Sequence, residues 1–172
     1  MRLISIFLAV IFLLQSCSTF DIKKEINTGI RQYENDSLKE SIITLTKVIS
    51  VTDTCTYCFL YRGFAYKDLE QYDKALQDFN SFINIDTTAA VGYANRASIY
   101  YLKNDYQAAL KDFTKAYQIK PTSKDLLNPI SHMLFATGRK DEACNYYKQA
   151  LENGDTTFDN SIKAYCDKKG QH

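Results

Sequence analysis

Residues 57–89 read YCFLYRGFAYKDLEQYDKALQDFNSFINIDTTA, and residues 90–123 read AVGYANRASIYYLKNDYQAALKDFTKAYQIKPTS. The two segments align when the second is shifted back by 34 positions, so that small residues meet small residues and aromatic residues meet aromatic residues. A repeated packing unit needs this correspondence, because each copy must fill the same gaps against its neighbour. The stretch therefore predicts an array of similar units; the aligned pairs are Gly63/Ala97, Tyr66/Tyr100, Tyr72/Tyr106, Ala75/Ala109, Phe79/Phe113 and Ile85/Ile119.

Each copy contains two apolar patterns of helical period, with a short polar break between them. In the second copy the patterns run over residues 91–103 and 106–119. Asn104 and Asp105 separate them, and these residue types can end one helix and cap the next. Because no alternating strand pattern of useful length occurs, the sequence predicts an all-α chain of helix-turn-helix units.

The same frame extends in both directions from the central pair. It predicts four units at residues 22–55, 56–89, 90–123 and 124–157. A further amphipathic segment within residues 158–172 is too short for a fifth unit, and we interpret it as a C-terminal capping helix and tail with a solvated outer face. The first unit is the most degraded of the four.

Pro129 interrupts the first helical pattern of the fourth unit. Proline lacks a backbone N–H and is tolerated only in the first turn of a helix. The helix therefore either begins late, with Asn128 as its N-cap, or kinks at the proline.

The first sixteen residues have the features of a secretory signal peptide. Arg2 precedes an unbroken apolar run from Ile4 to Leu14. This run is about half the roughly 20 residues that a membrane-spanning helix needs, so we expect a signal and not a permanent span.

The segment Leu14-Gln15-Ser16-Cys17 resembles a bacterial lipobox, in which an aliphatic, a variable and a small residue precede an invariant cysteine. The resemblance implies that residues 1–16 are removed, that Cys17 carries a diacylglycerol, and that residues 17–21 form a lipidated tether. Acyl chains of this kind hold a protein on a membrane. We therefore expect a lipid-anchored protein of the bacterial cell envelope, on the periplasmic face of the outer membrane. The alternative is an ordinary signal peptide with an incidental Cys17.

The charges of the chain are balanced and interspersed. Lys and Arg number 21 and Asp and Glu number 20, and removal of residues 1–16 takes away Arg2 and leaves a formal net charge of zero. Because the sequence contains no basic block, it does not favour nucleic-acid binding or adhesion to an anionic membrane surface.

Four cysteines besides Cys17 predict disulfides in an exported protein. Cys144 and Cys166 lie on the second helix of unit four and on the capping helix, which must pack together. Cys55 and Cys58 form a C-x-x-C motif at the junction of units one and two, where a structural disulfide is the favoured interpretation. A redox site is an alternative, because a helix N-terminus lowers a thiol pKa. Zinc would need two further ligands, which the sequence does not supply.

The repeated units resemble the tetratricopeptide repeat (TPR). In the unit at 90–123 the consensus positions are occupied by Tyr93, Arg96-Ala97, Tyr100, Tyr106, Ala109, Phe113, Ala116 and Pro121. The resemblance implies a TPR-like α-solenoid of four helix-turn-helix repeats, in which the first helix of each repeat lines a concave groove. The closing proline of the consensus is absent from the other three units.

Groove positions of the family can be carried over to this sequence. Relatives that bind the carboxylate tail of chaperones use Lys and Asn at two of them, whereas this chain has Leu60 and Phe64 in one unit and Ala94 and Ser98 in the next. That activity is therefore not expected here. The predicted partner-binding residues are Tyr57, Leu60, Phe64, Lys67, Asn95, Ser98, Tyr101, Asn128, His132 and Phe135.

No pattern in the sequence predicts catalysis. The chain has two histidines, and it shows no Ser-His-Asp arrangement and no Gly-rich phosphate loop. We therefore expect neither enzymatic activity nor a cofactor or metal. The predicted function is that of a lipid-anchored scaffold that binds a protein or peptide in the cell envelope. Two alternatives are a structural subunit of an outer-membrane assembly complex and a thiol-redox protein using Cys55 and Cys58.

Overall fold

The computed structural model describes residues 21–169, and all of their regular secondary structure is helical. Cys17 and the predicted signal peptide lie outside these residues. A 3-10 turn at Lys124–Leu126 precedes the seventh of the α-helices. The α-helices are α1 (Ile22–Glu34), α2 (Leu38–Ile49), α3 (Thr56–Asp68), α4 (Tyr72–Ile85), α5 (Ala90–Leu102), α6 (Tyr106–Ile119), α7 (Leu127–Ala136), α8 (Lys140–Glu152) and α9 (Asn160–Lys169).

Consecutive helices pack as pairs, and the pairs stack in chain order. The pairs are α1 with α2, α3 with α4, α5 with α6, and α7 with α8, and α9 packs against α8. This arrangement confirms the predicted all-α solenoid of four helix-turn-helix repeats with a capping helix. None of the helices in the described part of the chain is long and apolar enough to cross a membrane.

The turn within each pair has the same backbone conformation in all four units. Asp36, Glu70, Asn104 and Gly138 have φ values of 61°, 57°, 61° and 84°, and they lie at equivalent positions of the frame. The residue after each of them donates its N–H to a carbonyl five residues earlier, which satisfies an otherwise unpaired helix C-terminus. Asp105 then caps α6 by accepting from the N–H of Ala108, as the polar break predicts.

The two helices of a unit approach each other closely where the frame places small residues. A Cβ atom added to Gly63 would lie 2.8 Å from Cε1 of Phe79, so only glycine fits there without a shift. In the first unit the buried Ser41 hydroxyl donates to the carbonyl of Gly29 at 2.8 Å. In the fourth unit the buried Ser131 hydroxyl donates to the carbonyl of Ala143 at 2.9 Å. In the first and fourth units the two helices therefore still approach each other closely, with a buried serine whose hydroxyl is hydrogen-bonded.

A buried ion pair joins the two helices of the third unit, and its arginine also bonds to the preceding unit; the sequence pattern does not predict this link. Arg96 donates to both carboxylate oxygens of Asp112 at 2.6 and 2.9 Å, and also to the side chain of Asn80 in the preceding unit at 2.7 Å. Asp112 is only 3% exposed. One arginine thus joins both helices of its own unit to the unit before it. The equivalent contacts of Arg62 are with Asp78 and Thr46.

Pro129 lies in the first turn of α7, where a missing N–H is tolerated. The helix begins at Leu127, and Leu126 occupies the N-cap position. The prediction that Asn128 caps this helix is therefore wrong, because the preceding 3-10 turn moves the helix start ahead of it. Asn128 instead donates its side-chain N–H to the Thr157 hydroxyl at 2.9 Å.

The capping helix is attached by a disulfide and by apolar packing. Cys144 on α8 and Cys166 on α9 are bonded, and both are buried. The rings of Tyr147 and Phe158 meet edge to face at 4.7 Å. Tyr147 also donates its hydroxyl to Asp167 at 3.0 Å, which fixes the far end of α9.

Candidate functional site

The ten predicted partner-binding residues lie on α3, α5 and α7. Tyr57 and Tyr101 are 63% and 41% exposed, and most of the others are half-buried. Leu60 is only 8% exposed because it packs in the apolar core with Phe59 and Phe79. That packing removes Leu60 from the surface, so we exclude it. We call the surface formed by the other nine residues the first-helix face.

An aromatic cluster occupies the end of the first-helix face nearest α1. The rings of Tyr33, Tyr61 and Phe64 lie 5.6 to 5.8 Å apart, so that α1 and α3 are joined by ring contacts. Burial and a hydrogen bond to Asp68 at 2.9 Å raise the pKa of Tyr33 to about 12, so the phenol stays protonated. Lys67 lies over the Phe64 ring at 5.6 Å and close to the Asp68 carboxylate at 3.6 Å.

Tyr33 and Tyr61 are not among the partner-binding residues predicted from the sequence, although both belong to this cluster. When the 34-residue alignment is extended into the first unit, Tyr33 aligns with Lys67 and Tyr101, which are both predicted partner-binding residues. The frame could therefore have identified Tyr33, although the first unit is the most degraded. Tyr61 is not at one of the groove positions assigned from the family, although it follows Leu60, which is. The exposure of its side chain depends on how α1 packs against α3.

A cavity of about 520 Å³ opens between α5 and α7, and we call it the acidic cavity. Four predicted residues line it: Ser98, Tyr101, Asn128 and His132. The rings of Tyr101 and His132 meet edge to face at 5.8 Å, and buried apolar side chains form part of the lining. The Nδ1 atom of His132 is buried and has no hydrogen-bond partner among the described residues. The remaining lining residues are Phe113, Asp125, Pro129, Met133, Asp155 and Thr157.

Two carboxylates line the acidic cavity, Asp125 at the start of the fourth unit and Asp155 in the loop before α9. Oδ1 of Asp155 accepts from the N–H and the hydroxyl of Thr157 at 2.9 and 2.6 Å, and these bonds lower the pKa of Asp155. Asn128 holds the same threonine at 2.9 Å. This network fixes the loop against α7, so that Asp155 stays ionised and in place at neutral pH.

A second cavity, of about 480 Å³, adjoins the first along the same two helices and shares Ser98 and Asp125 with it. Asn95 lines it and donates its side-chain N–H to the Val91 carbonyl at 2.8 Å, which leaves the amide oxygen as an acceptor. Lys120 lines this second cavity and not the acidic one. Together the two cavities form a groove between α5 and α7.

Phe135 lies at the end of the first-helix face where α9 packs. Its ring meets that of Tyr165 edge to face at 5.7 Å, and Lys140 lies over both rings at 5.0 and 5.5 Å. The capping helix therefore partly covers Phe135 and closes this end of the face.

The cysteine pair at the start of α3 is also bonded. Cys55 and Cys58 form a disulfide within one helical turn, and the N–H of Cys58 points to the Cys55 sulfur at 3.2 Å. Cys58 is fully buried, whereas Cys55 is half-buried at the N-cap. Residues 21–169 contain no group of three or more His, Cys, Asp and Glu side chains that could hold a metal ion.

Comparisons with known proteins point to one family. Three family models, each described as a tetratricopeptide repeat, match residues 57–86, 90–123 and 125–153, which together exceed half of the chain. The human protein DnaJ homolog subfamily C member 7 is 26% identical over 152 residues, which are 84% of this chain and 30% of that protein. The chain thus spans about a third of the length of this relative.

Two solved structures show the same fold at low sequence identity. The crystal structure of MamA has a TM-score of 0.75 and 20% identity, and the match covers 81% of each chain. The first TPR of Spaghetti (RPAP3), bound to the HSP90 peptide SRMEEVD, has a TM-score of 0.65 and 17% identity, over 68% of this chain and 93% of that one.

Proposed function

The chain belongs to the tetratricopeptide repeat family, and from this premise we propose that it is a non-catalytic scaffold whose first-helix face binds a protein or peptide segment. The observation that carries the proposal is the groove between α5 and α7, which continues a row of exposed and half-buried aromatic side chains. Such side chains beside polar groups are typical of protein-binding surfaces. The helix pairs hold them in place before a partner arrives, which lowers the entropy cost of binding.

The structure of the RPAP3 repeat supports peptide binding by this fold, but not the same ligand. The peptide in that structure ends in acidic residues. In this chain the two positions that would need Lys and Asn hold Leu60 and Phe64 in unit two, and Leu60 is buried. We therefore propose a partner of different chemistry from an acidic carboxylate tail.

The combined change Phe64→Ala and Tyr101→Glu is expected to abolish capture of the partner. Both rings lie on the first-helix face, and loss of one central aromatic contact costs about 2 kcal/mol, or about 30-fold in affinity. The measurement is capture from a native envelope fraction on the immobilised protein, with bound proteins identified by mass spectrometry.

The matched control is Ile43→Glu, which makes an equally large change at a side chain of α2 that is 69% exposed and lies off the first-helix face. This variant should capture the same proteins as the unchanged chain. Circular dichroism establishes that both variants are folded. A folded double variant that captures the same partner at full yield would contradict the proposed function.

We also propose that the scaffold is anchored to the envelope membrane through Cys17, as its lipobox-like sequence indicates. The anchor would lie close to the repeat array, because α1 begins at Ile22 with Asp21 as its N-cap. A tether of residues 17–21 would keep the start of α1 within about 18 Å of the membrane attachment point, since an extended chain spans at most about 3.5 Å per residue.

Replacing Cys17 with serine is expected to leave an unlipidated precursor that still carries the signal segment. The thiol is the group to which the lipid is attached, and a serine hydroxyl is a much weaker nucleophile. The measurement is incorporation of a labelled fatty acid in a bacterial host. Ser18→Ala, one residue further on, is the control and should be labelled normally; equal labelling of the Cys17→Ser variant would refute the anchor.

A further inference from the structure

We propose that the acidic cavity takes a cationic side chain, the arginine or lysine of a partner segment. This inference rests on the proposed function and adds the chemistry of the partner. It concerns the cavity between α5 and α7, where Asp125 and Asp155 stand beside an exposed aromatic ring.

The charges of the cavity are negative and incompletely paired. The carboxylate of Asp125 makes no side-chain hydrogen bond or ion pair with the other residues that the structure describes. Oδ1 of Asp155 accepts both hydrogen bonds from Thr157, and the Asn128 side chain also lowers the pKa of this carboxyl group. A carboxylate has about four acceptor sites, so Asp155 retains capacity to accept another hydrogen bond. No lysine or arginine is found in the described lining of the cavity. His132 lies in the same lining, and Lys120 lines the adjoining cavity that shares Asp125. A cation that enters the acidic cavity would therefore meet two carboxylates and no lysine or arginine of its described lining.

The walls of the cavity suit the remainder of a long basic side chain. Phe113 and Met133 are buried and offer an apolar surface on which methylene groups can lie. Tyr101 is 41% exposed and presents a ring to which a guanidinium or ammonium group is attracted. Ser98 already donates its hydroxyl to the Ala94 carbonyl, and Asn128 is bound to Thr157, so their donors do not repel a cation.

The other end of the first-helix face differs in charge. Lys67 and Asp68 lie 3.6 Å apart and neutralise each other beside the Phe64 ring. A basic side chain of the partner therefore fits the acidic cavity, whereas an apolar or aromatic side chain fits the cluster around Phe64. The partner segment that matches both ends carries a basic residue separated along its length from an apolar one.

The experiment selects random twelve-residue peptides, displayed on phage, against the purified protein and against the variant Asp125→Asn with Asp155→Asn. Asparagine keeps the size of each side chain and can still accept the hydrogen bonds from Thr157. The control variant, Asp53→Asn with Glu152→Gln, removes two exposed charges outside the cavity. Peptides bound by the unchanged protein and by the control should be enriched about fivefold in Arg and Lys at one aligned position, on the scale of a single exposed charge contact. The cavity variant should show no such enrichment.

One selected peptide is then measured by fluorescence anisotropy, with its basic residue intact or replaced by glutamine. The replacement should weaken binding to the unchanged protein by about fivefold and binding to the cavity variant by less than about twofold, which assigns the contact to the two carboxylates. Selected peptides without a basic preference, or with an acidic one, would overturn this inference and leave the proposed function standing. Selection of no peptide above background would count against the proposed function itself, and this inference would fall with it.

Discussion

Replacing Arg96 with leucine is expected to lower the free energy of unfolding by about 3 kcal/mol. Asp112 is almost fully buried, and both of its carboxylate oxygens accept from this one guanidinium. Removal of the arginine leaves a buried carboxylate with no cation, which typically costs about 3 to 5 kcal/mol. The lower end of that range applies because the Arg96 side chain is 20% exposed, so water reaches the pair. Urea unfolding followed by circular dichroism measures the effect.

The control is the double variant Arg96→Leu with Asp112→Leu. It removes both charges together, so no unpaired carboxylate remains in the core, and apolar side chains take their place. We expect the double variant to regain most of the stability that the single variant loses. A single variant that loses less than about 1 kcal/mol, or a double variant no more stable than the single one, would contradict the interpretation of the pair as a buried link.

Replacing Cys144 and Cys166 with alanine is expected to lower the free energy of unfolding by about 3 kcal/mol. The disulfide joins residues 22 positions apart, and the chain-entropy model gives about this value for a loop of that length. Alanine is chosen because both sulfurs are buried and a serine hydroxyl would add an unpaired polar group. Chemical unfolding gives the change, after intact mass under non-reducing conditions has established the bond in the unchanged chain.

Limited proteolysis provides a second measurement on the same variant. Without the disulfide, α9 is held only by non-covalent contacts, such as the buried Ile162 and the Tyr147–Asp167 hydrogen bond, so the loop at residues 153–159 should be cleaved sooner. The variant with Cys55 and Cys58 replaced by alanine is the control, because its disulfide closes a loop within one helical turn and leaves α9 attached. Unchanged unfolding and unchanged cleavage of the α9 variant would show that the disulfide adds nothing to the cap.

The fold could be predicted from the sequence because the packing rules of this array repeat along the chain. Gly63 and Phe79 are separated by one helix and one turn, so their contact follows from the frame alone. The ion pair of Arg96 and Asp112 could not be predicted from the sequence pattern, for a physical reason. An aspartate inside an amphipathic helix is normally solvent-exposed, and only the arginine sixteen residues before it explains its burial.

The candidate site could be predicted less completely. The frame identified Tyr101 and His132, because their positions on the first helices repeat from unit to unit. Asp155 and Tyr165 lie beyond the last repeated helix, and their places depend on the path of the loop before α9, which no periodicity describes. Leu60 was wrongly included because exposure at its position depends on how the neighbouring side chains fill the core.

The arginine side chains that bond to the preceding unit occur in the second and third units and not in the fourth. Ile130 occupies the position of Arg96 in that unit, and within residues 21–169 no side-chain hydrogen bond or ion pair joins α5 or α6 to α7 or α8. A shared apolar core that includes Phe113 and Ile130, and ring contacts such as Tyr117 with Tyr146, hold this boundary instead. Because such contacts have little directionality, we expect this boundary to bend more easily than the boundaries that an arginine spans. A ligand that contacts both α5 and α7 would add a link across this boundary, and we expect it to make the array stiffer.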